Sequence, residues 1–313
     1  IILIIIFIFF LYLMFFLTKK ELNIETFKSE NNTNKILSNK VIIITGSTRG
    51  IGYEIAKTLN RFNCKLVIHG KTQSKVESVI EELKSNNPNV IGMAADLSDK
   101  KEIDKFFNFI TSKHKKIYAL INNAWTAKGT KDLTNKSYKD WKSELSTNVD
   151  SIFLLTQKVI QHMRRYSTKG RIINVSSYAS KLKVANSFSA SQILSKNLLE
   201  KMSEILAEEN YMYDIAVTTV RIEDKINTGL FDKSERKDMP SYVLSAMDGM
   251  ESLTGYFSEK PGKVIPLFTY ALRAPFHEIT GKLISSNAYL SNPKLSKIIP
   301  SHQLIVNDNI YKK

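Results

Sequence analysis

The 313-residue chain has a single cysteine, Cys64, so no disulfide can form within it and a reducing compartment is compatible. It has no Cys/His cluster at metal-ligand spacing: the five histidines are scattered, His302 has no partner near it, and no metal is expected. Acidic residues are scarce, 30 Asp and Glu against 45 Lys and Arg, which leaves a formal net charge of +15 and a pI near 9.6. That balance invites a nucleic-acid reading, but a long basic block is missing too. The lysines are spread along the whole chain, often beside asparagine, and read as a solvated surface with no nucleic-acid partner. The same charge suits an anionic membrane surface or a phosphorylated ligand. There is no internal repeat and no clear second domain.

The N-terminus carries the one long apolar run, "IILIIIFIFFLYLMFFL" (residues 1–17), closed by Thr18, Lys19 and Lys20. As a helix it would cover roughly 26 Å, the short end of what crosses a bilayer. It has no polar face and no small-residue cleavage site after it, so a membrane anchor is expected over 1–17. The two lysines favour a cytosolic catalytic domain behind it. Residues 18–38 are polar and Asn-rich and read as a flexible linker.

From Lys40 the pattern alternates. "KVIIITG" is a β-branched run suited to a strand buried on both faces. Five more such runs follow, "KLVIHG" (65–70), "NVIGMAADL" (89–97), "KIYALINNA" (116–124), "GRIINVSS" (170–177) and "YDIAVTTV" (213–220), with helical segments between them. One helix is expected over 139–164 and another over 189–208, the latter with Leu194, Leu198, Met202 and Ile205 on one face. Short connections between alternating strands and helices require crossovers, hence a parallel sheet covered on both sides. The expected fold class is α/β, a Rossmann-type doubly wound parallel sheet forming a single domain (39–290), with an N-terminal transmembrane segment and a tail (291–313) of unassigned role. Ligands of such sheets bind at the carboxyl ends of the strands.

Glycines 46, 50 and 52 stand between the first strand and the first helix. Positions without side chains let the backbone approach a pyrophosphate, and the helix N-terminus adds N–H groups and positive dipole. At the end of the second strand, where an NAD site would place a carboxylate, stand Gly70 and Lys71, with Arg49 nearby in the glycine loop. Two cations and no carboxylate favour a 2′-phosphate, so the expected cofactor is NADP(H) in preference to NAD(H). Asp96 either accepts a bond from an adenine amino group or caps a helix.

"TGSTRGIG" (45–52), "AADL" (94–97), "INNA" (121–124), "TNVDSIF" (147–153), "RIINVSS" (171–177), "FSASQ" (188–192) and "ITGKLIS" (279–285) stand in the order and spacing of the short-chain dehydrogenase/reductase family, which the chain resembles over roughly residues 38–290. The resemblance implies a nicotinamide-dependent oxidoreductase acting on a small carbonyl or alcohol, commonly a homo-oligomer paired through its two long helices. The cofactor-binding set it implies is Gly46, Thr48, Arg49, Gly50, Ile51, Gly52, Lys71, Asp96, Leu97, Asn123 and Ala124. Of the four catalytic positions, Asn148 matches the Asn that holds a relay water. Ser177, with Ser176 as a near alternative, matches the Ser that orients the substrate.

The other two depart. Family members typically read Tyr-Ser-Ala-Ser-Lys where this chain reads Phe-Ser-Ala-Ser-Gln, so Phe188 stands for the tyrosine and Gln192 for the lysine. Phenylalanine has no proton to give, and glutamine has no charge with which to depress a phenol pKa. A substitute pair of Tyr178 and Lys196 is a further candidate, Lys196 lying one helical turn past Gln192. Trp125 replaces the glycine of the usual Asn-Asn-Ala-Gly, and the Pro-Gly after the sixth strand is absent. Residues 229–263 fall where this fold places a substrate lid, with Met239, Tyr242, Met247, Met250 and Tyr256 as an adaptable apolar set. Three functions follow: an NADP(H)-binding oxidoreductase lacking the Tyr–Lys pair, a non-enzymatic membrane-tethered sensor or scaffold, and an active reductase with a relocated proton donor.

Overall fold

Strands made of unbroken Val, Ile and Leu have two apolar faces to cover, and the chain covers them with helices on both. The structure, a computed structural model, is described over residues 34–127, 133–181, 190–223 and 260–286. Seven strands, β1 (Val41–Ile44), β2 (Lys65–Gly70), β3 (Val90–Ala94), β4 (Ala119–Asn122), β5 (Arg171–Ser177), β6 (Ala216–Ile222) and β7 (Leu283–Ser285), form one sheet in the order β3-β2-β1-β4-β5-β6-β7. Every neighbouring pair is parallel. Six of these strands are those expected; β7, within "ITGKLIS", is added at the edge.

Alternate residues of β1 serve opposite layers: Ile42 and Ile44 pack with α1 (Gly50–Asn60), α2 (Gln73–Lys84) and α7 (Ile265–Arg273). Val41 and Ile43 pack with α3 (Lys100–Lys113) and α5 (Ser151–Arg165). On α3 the buried residues are Ile103, Phe106 and Ile110, a helical stripe, and Asp99 caps its start by accepting from the Lys101 N–H at 2.8 Å. Each such side chain fully buried contributes about 1.5–3 kcal/mol of transfer free energy. Leu37 is fully buried in the same core, so the stretch read as a linker joins the domain before residue 39.

The helix expected over 139–164 is two helices, α4 (Tyr138–Leu145) and α5, joined by a π-helical turn at Ser146–Asp150. The helix expected over 189–208 is α6 (Ala190–Glu209). Its orientation differs from what its apolar pattern suggests. Ser191, Ser195, Lys196, Leu199, Ser203 and Ala207 are buried, whereas Leu194, Leu198 and Ile205 are about half exposed. The inward polar groups are satisfied: Asn174 donates to Ser203 Oγ at 2.8 Å, and Asn122 donates to Asn174 Oδ1 at 2.8 Å and to Thr156 at 2.9 Å.

The membrane expectation is corrected. The apolar run 1–17 lies outside the described residues, and among the described residues no helix is long and apolar enough to cross a membrane. The longest, α6, carries Lys196, Glu200, Lys201, Glu204, Glu208 and Glu209, too many charges for a bilayer core. Over the described residues the fold class is therefore the doubly wound parallel sheet with no membrane-spanning helix, and the expectations of a transmembrane segment and of a membrane-anchored location with a cytosolic catalytic domain are withdrawn. Phe188, the lid as far as residue 259 and the tail 291–313 also lie outside the described residues.

Candidate cofactor and active-site cleft

The strand order reverses direction between β1 and β4, and a cleft of about 850 Å³ opens there at the carboxyl ends of the strands. Its floor is the turn after β1. Gly46 has φ +63°, and a Cβ on it would lie 2.9 Å from Ala124 Cα; on Gly52 a Cβ would lie 2.4 Å from Gly46 O. The second contact explains why α1 begins so close to the strand. Asn123 ties β4 to this turn, donating through Nδ2 to Thr45 O at 2.9 Å and Gly46 O at 3.1 Å. Thr45 Oγ1 accepts from the N–H groups of Asn123 and Ala124 at 2.9 and 3.0 Å.

His69, which the sequence reading passed over, completes the frame. Its Nδ1 accepts from the Gly46 N–H at 3.1 Å and its Nε2 stands 3.1 Å from Ala95 O, so the ring carries its proton on Nε2. Burial pulls its pKa down to about 4, despite the Ala95 carbonyl and Asp96, so it is neutral under ordinary conditions. The signal that could have found it is a histidine within an otherwise aliphatic strand.

Two helix N-termini open on the cleft. The residue preceding α1, Arg49, and that preceding α2, Thr72, make no side-chain capping bond, and neither first turn holds an acid. Both lack the anion that a helix start favours. Thr48, Arg49, Gly50 and Ile51 line the wall at the first, and Lys71, Thr72, Ser74 and Lys75 at the second. Lys71 pairs with Asp96 at 2.6 Å. Burial alone would raise the Asp96 carboxyl, but the Lys71 ammonium and the two Ser98 donors outweigh it and hold it at about 2. Asp96 does not cap α3, since Asp99 does. Leu97 lines the cleft while its side chain is buried in the core.

The far end is lined by Trp125, Thr126, Val175, Ser176, Ser177, Gln192, Lys196 and Ile222. Ser177 Oγ accepts from the Ala179 N–H at 3.2 Å, and Ser176 donates to Glu200. Asn148, at the π-helical turn, spends its amide on one neighbour: Oδ1 accepts from Thr126 N–H at 2.9 Å and Nδ2 donates to Thr126 O at 2.7 Å. It therefore pins the Thr126 loop. Trp125 Nε1 is buried without a hydrogen-bond partner among the described residues.

Of the candidate substitutes, Tyr178 is half exposed on the turn after β5 and is not among the cleft-lining residues. Lys196 is the opposite of a solvated lysine: it is 7% exposed and its Nζ donates to Val175 O at 2.6 Å. Burial lowers its pKa to about 8 although Glu200 opposes the shift. Where the Pro-Gly would follow the sixth strand, Arg221 forks onto Glu200 (3.0 and 2.6 Å), and Glu223 takes Lys181 at 2.5 Å. This charge network was invisible in the sequence because its members come from three separated segments.

Sheet order, crossovers and the position of the cleft define the class, a Rossmann-type doubly wound domain. The model of the short chain dehydrogenases matches residues 40–237, and the chain belongs to that family. It is 30% identical to a 3-oxoacyl-[acyl-carrier-protein] reductase of Buchnera aphidicola over 204 residues, 65% of this chain and 80% of the relative. It is 27% identical to human dehydrogenase/reductase SDR family member 11 over 246 residues, 76% of this chain and 90% of the relative. Two other 3-oxoacyl-[acyl-carrier-protein] reductases, from Synechocystis and Chlamydia pneumoniae, match over 58% of their length. Among solved structures, a metagenomic short-chain oxidoreductase in complex with NADP is 28% identical with a TM-score of 0.56, covering 59% of this chain and 82% of that one. A short-chain dehydrogenase from Mycobacterium marinum, 18% identical, shares the fold with a TM-score of 0.70 over 80% of this chain and 94% of its own.

Proposed function

We propose that the chain binds NADP(H) and transfers hydride between it and a small carbonyl or alcohol, without the tyrosine on which its family relies. The observation that carries the cofactor reading is the pair of uncapped helix N-termini on one cleft. One suits the pyrophosphate against Gly46, Thr48, Gly50, Ile51 and Gly52; the other, with Arg49, Lys71, Ser74 and Lys75, suits a 2′-phosphate. The Lys71–Asp96 pair is largely exposed, and such pairs are worth about 0–1 kcal/mol, so a phosphate can share or take the lysine at little cost. Asp96 and Leu97 then face the adenine, and Asn123 and Ala124 the ribose. A solved short-chain oxidoreductase in complex with NADP supports the same choice, as does a structure of the same fold complexed with NADPH.

NADP(H), when bound, would supply hydride chemistry at the far end; what this chain supplies there is orientation and a proton. Ser177 orients the substrate oxygen and Asn148 holds the Thr126 wall. The acid–base pair is best placed one helical turn later than the Phe188/Gln192 assignment. In "QILSK" the family's closing Ser-Lys survives as Ser195-Lys196, and Lys196 is the lysine that lines the cleft. Gln192 then occupies the tyrosine position and lacks its proton. A second copy of the chain covers the outward apolar stripe of Leu194, Leu198 and Ile205 on α6 and Phe153 on α5, making a homo-oligomer.

The cofactor reading is tested by Lys71→Ala. NADPH affinity should fall about tenfold, the loss of one charge-assisted bond, while NADH affinity stays within about twofold. Equal losses for both cofactors would remove Lys71 from the 2′-phosphate site.

A further inference from the structure

Among the described residues lining the far end of the cleft, Lys196 is the one side chain that carries a releasable proton at neutral pH. Its amine is fixed by the bond to Val175 O, and Val175 stands two residues before Ser177 on β5, about 7 Å along the strand. An ammonium has three N–H groups, of which that bond uses one. A substrate oxygen held by Ser177 is therefore within reach of Lys196 through one bridging water, two hydrogen bonds of about 2.8 Å being too short to span that gap directly. Gln192, four residues earlier on the same helix face, has no proton to contribute.

We propose that Lys196 is itself the proton donor to the substrate oxygen, taking over the task of the missing tyrosine. This rests on the hydride-transfer reading above. In reduction the carbonyl carbon gains hydride from the reduced nicotinamide and the C=O π bond breaks. The oxygen takes a proton from the Lys196 ammonium, the alcohol leaves, the nicotinamide is oxidised, and the neutral amine regains its proton from water. In alcohol oxidation the neutral amine accepts the proton.

The charged surroundings keep this lysine available. Charged or titratable groups on the elements packed against this part of α6 are Glu200 on the helix itself, Arg221 on β6 and Glu223 just after it, Lys181 and Tyr178 after β5, Glu144 on α4 and Asp150 in the π-helical turn. Glu200 is clamped by Arg221, Glu223 by Lys181 and Glu144 by Lys136. Glu200 thus favours the ammonium without consuming it, while burial draws the pKa toward about 8, near the pH at which a general acid–base works best.

The test uses the full chain and three readouts: NADPH binding by fluorescence, NADPH oxidation with a small 3-oxoacyl ester, and ¹³C NMR of ε-labelled lysines. Lys196→Arg keeps the positive charge but holds its proton too tightly to give it. The variant should bind NADPH within about threefold of wild type and reduce the ester at least about a hundredfold more slowly. In wild type one lysine should titrate near 8 and vanish from the spectrum in Lys196→Arg, and reduction should fall as pH rises through the same value. Gln192→Tyr should speed reduction about a hundredfold or more. Unchanged turnover in Lys196→Arg, no wild-type turnover at all, or titration of Lys196 near 10.5 would overturn the proposal with NADPH binding intact. Failure of wild type to bind NADPH would instead overturn the cofactor reading beneath it.

Discussion

His69 shows how one buried side chain ties chemistry to stability. Its folded pKa of about 4 lies below the ordinary 6.5, mainly because burial penalises the charged ring. Between those values the unfolded chain binds the extra proton, so this contribution is full above pH 6.5 and is lost as pH falls toward 4. The shift corresponds to roughly 3 kcal/mol. Urea unfolding at pH 7 and pH 4.5 should show most of that loss in wild type and little of it in His69→Gln. A second variant, His69→Leu, should weaken NADPH binding at pH 7, since the Gly46 N–H then loses its acceptor. An unaltered pH dependence in His69→Gln would exclude His69 as its source.

Residues also mark what could and could not be seen in the sequence. Glycines 46, 50 and 52 were legible because a strand, a turn and a helix are local patterns. Lys196 was nameable as a candidate one turn past Gln192, but its burial was not legible, because that depends on which face of α6 turns inward. The apolar stripe Leu194, Leu198, Met202 and Ile205 suggested one face, and the small residues Ser191, Ser195 and Ser203 took the core side instead. Asp96 was read as an adenine partner or a helix cap, and the bond from the Lys101 N–H gives the cap to Asp99 instead.

At the scale of elements, the turn into α1 and the π-helical turn into α5 hold opposite ends of the cleft. Gly52→Ala puts a methyl 2.4 Å from Gly46 O and 2.5 Å from Asn123 Nδ2. Backbone must move, at a cost of about 1–3 kcal/mol. Chemical denaturation should show that loss, and NADPH affinity should fall with it. Asn148→Ala strands the N–H and C=O of Thr126, and should destabilise by about 2 kcal/mol while impairing turnover more than NADPH binding. The six longer strands were readable from their β-branched runs. β7, only three residues long, was not, because so short a stretch has no periodicity to read.

For the molecule as a whole, the sheet buries its two apolar faces within one chain, yet α5 and α6 leave Phe153, Leu194, Leu198 and Ile205 half exposed. Light scattering should find a dimer or larger assembly, and Leu194→Glu with Leu198→Glu should shift it to monomer with the fold retained by circular dichroism. A monomeric wild type would remove the homo-oligomer from the picture.

The most direct test of the cofactor reading is a titration of the chain with NADPH and NADH, followed by the fluorescence of the reduced nicotinamide. Saturable binding of NADPH, at least tenfold tighter than NADH, is the expected result of a 2′-phosphate at Arg49 and Lys71. Equal or tighter binding of NADH, or no binding of either, would contradict it.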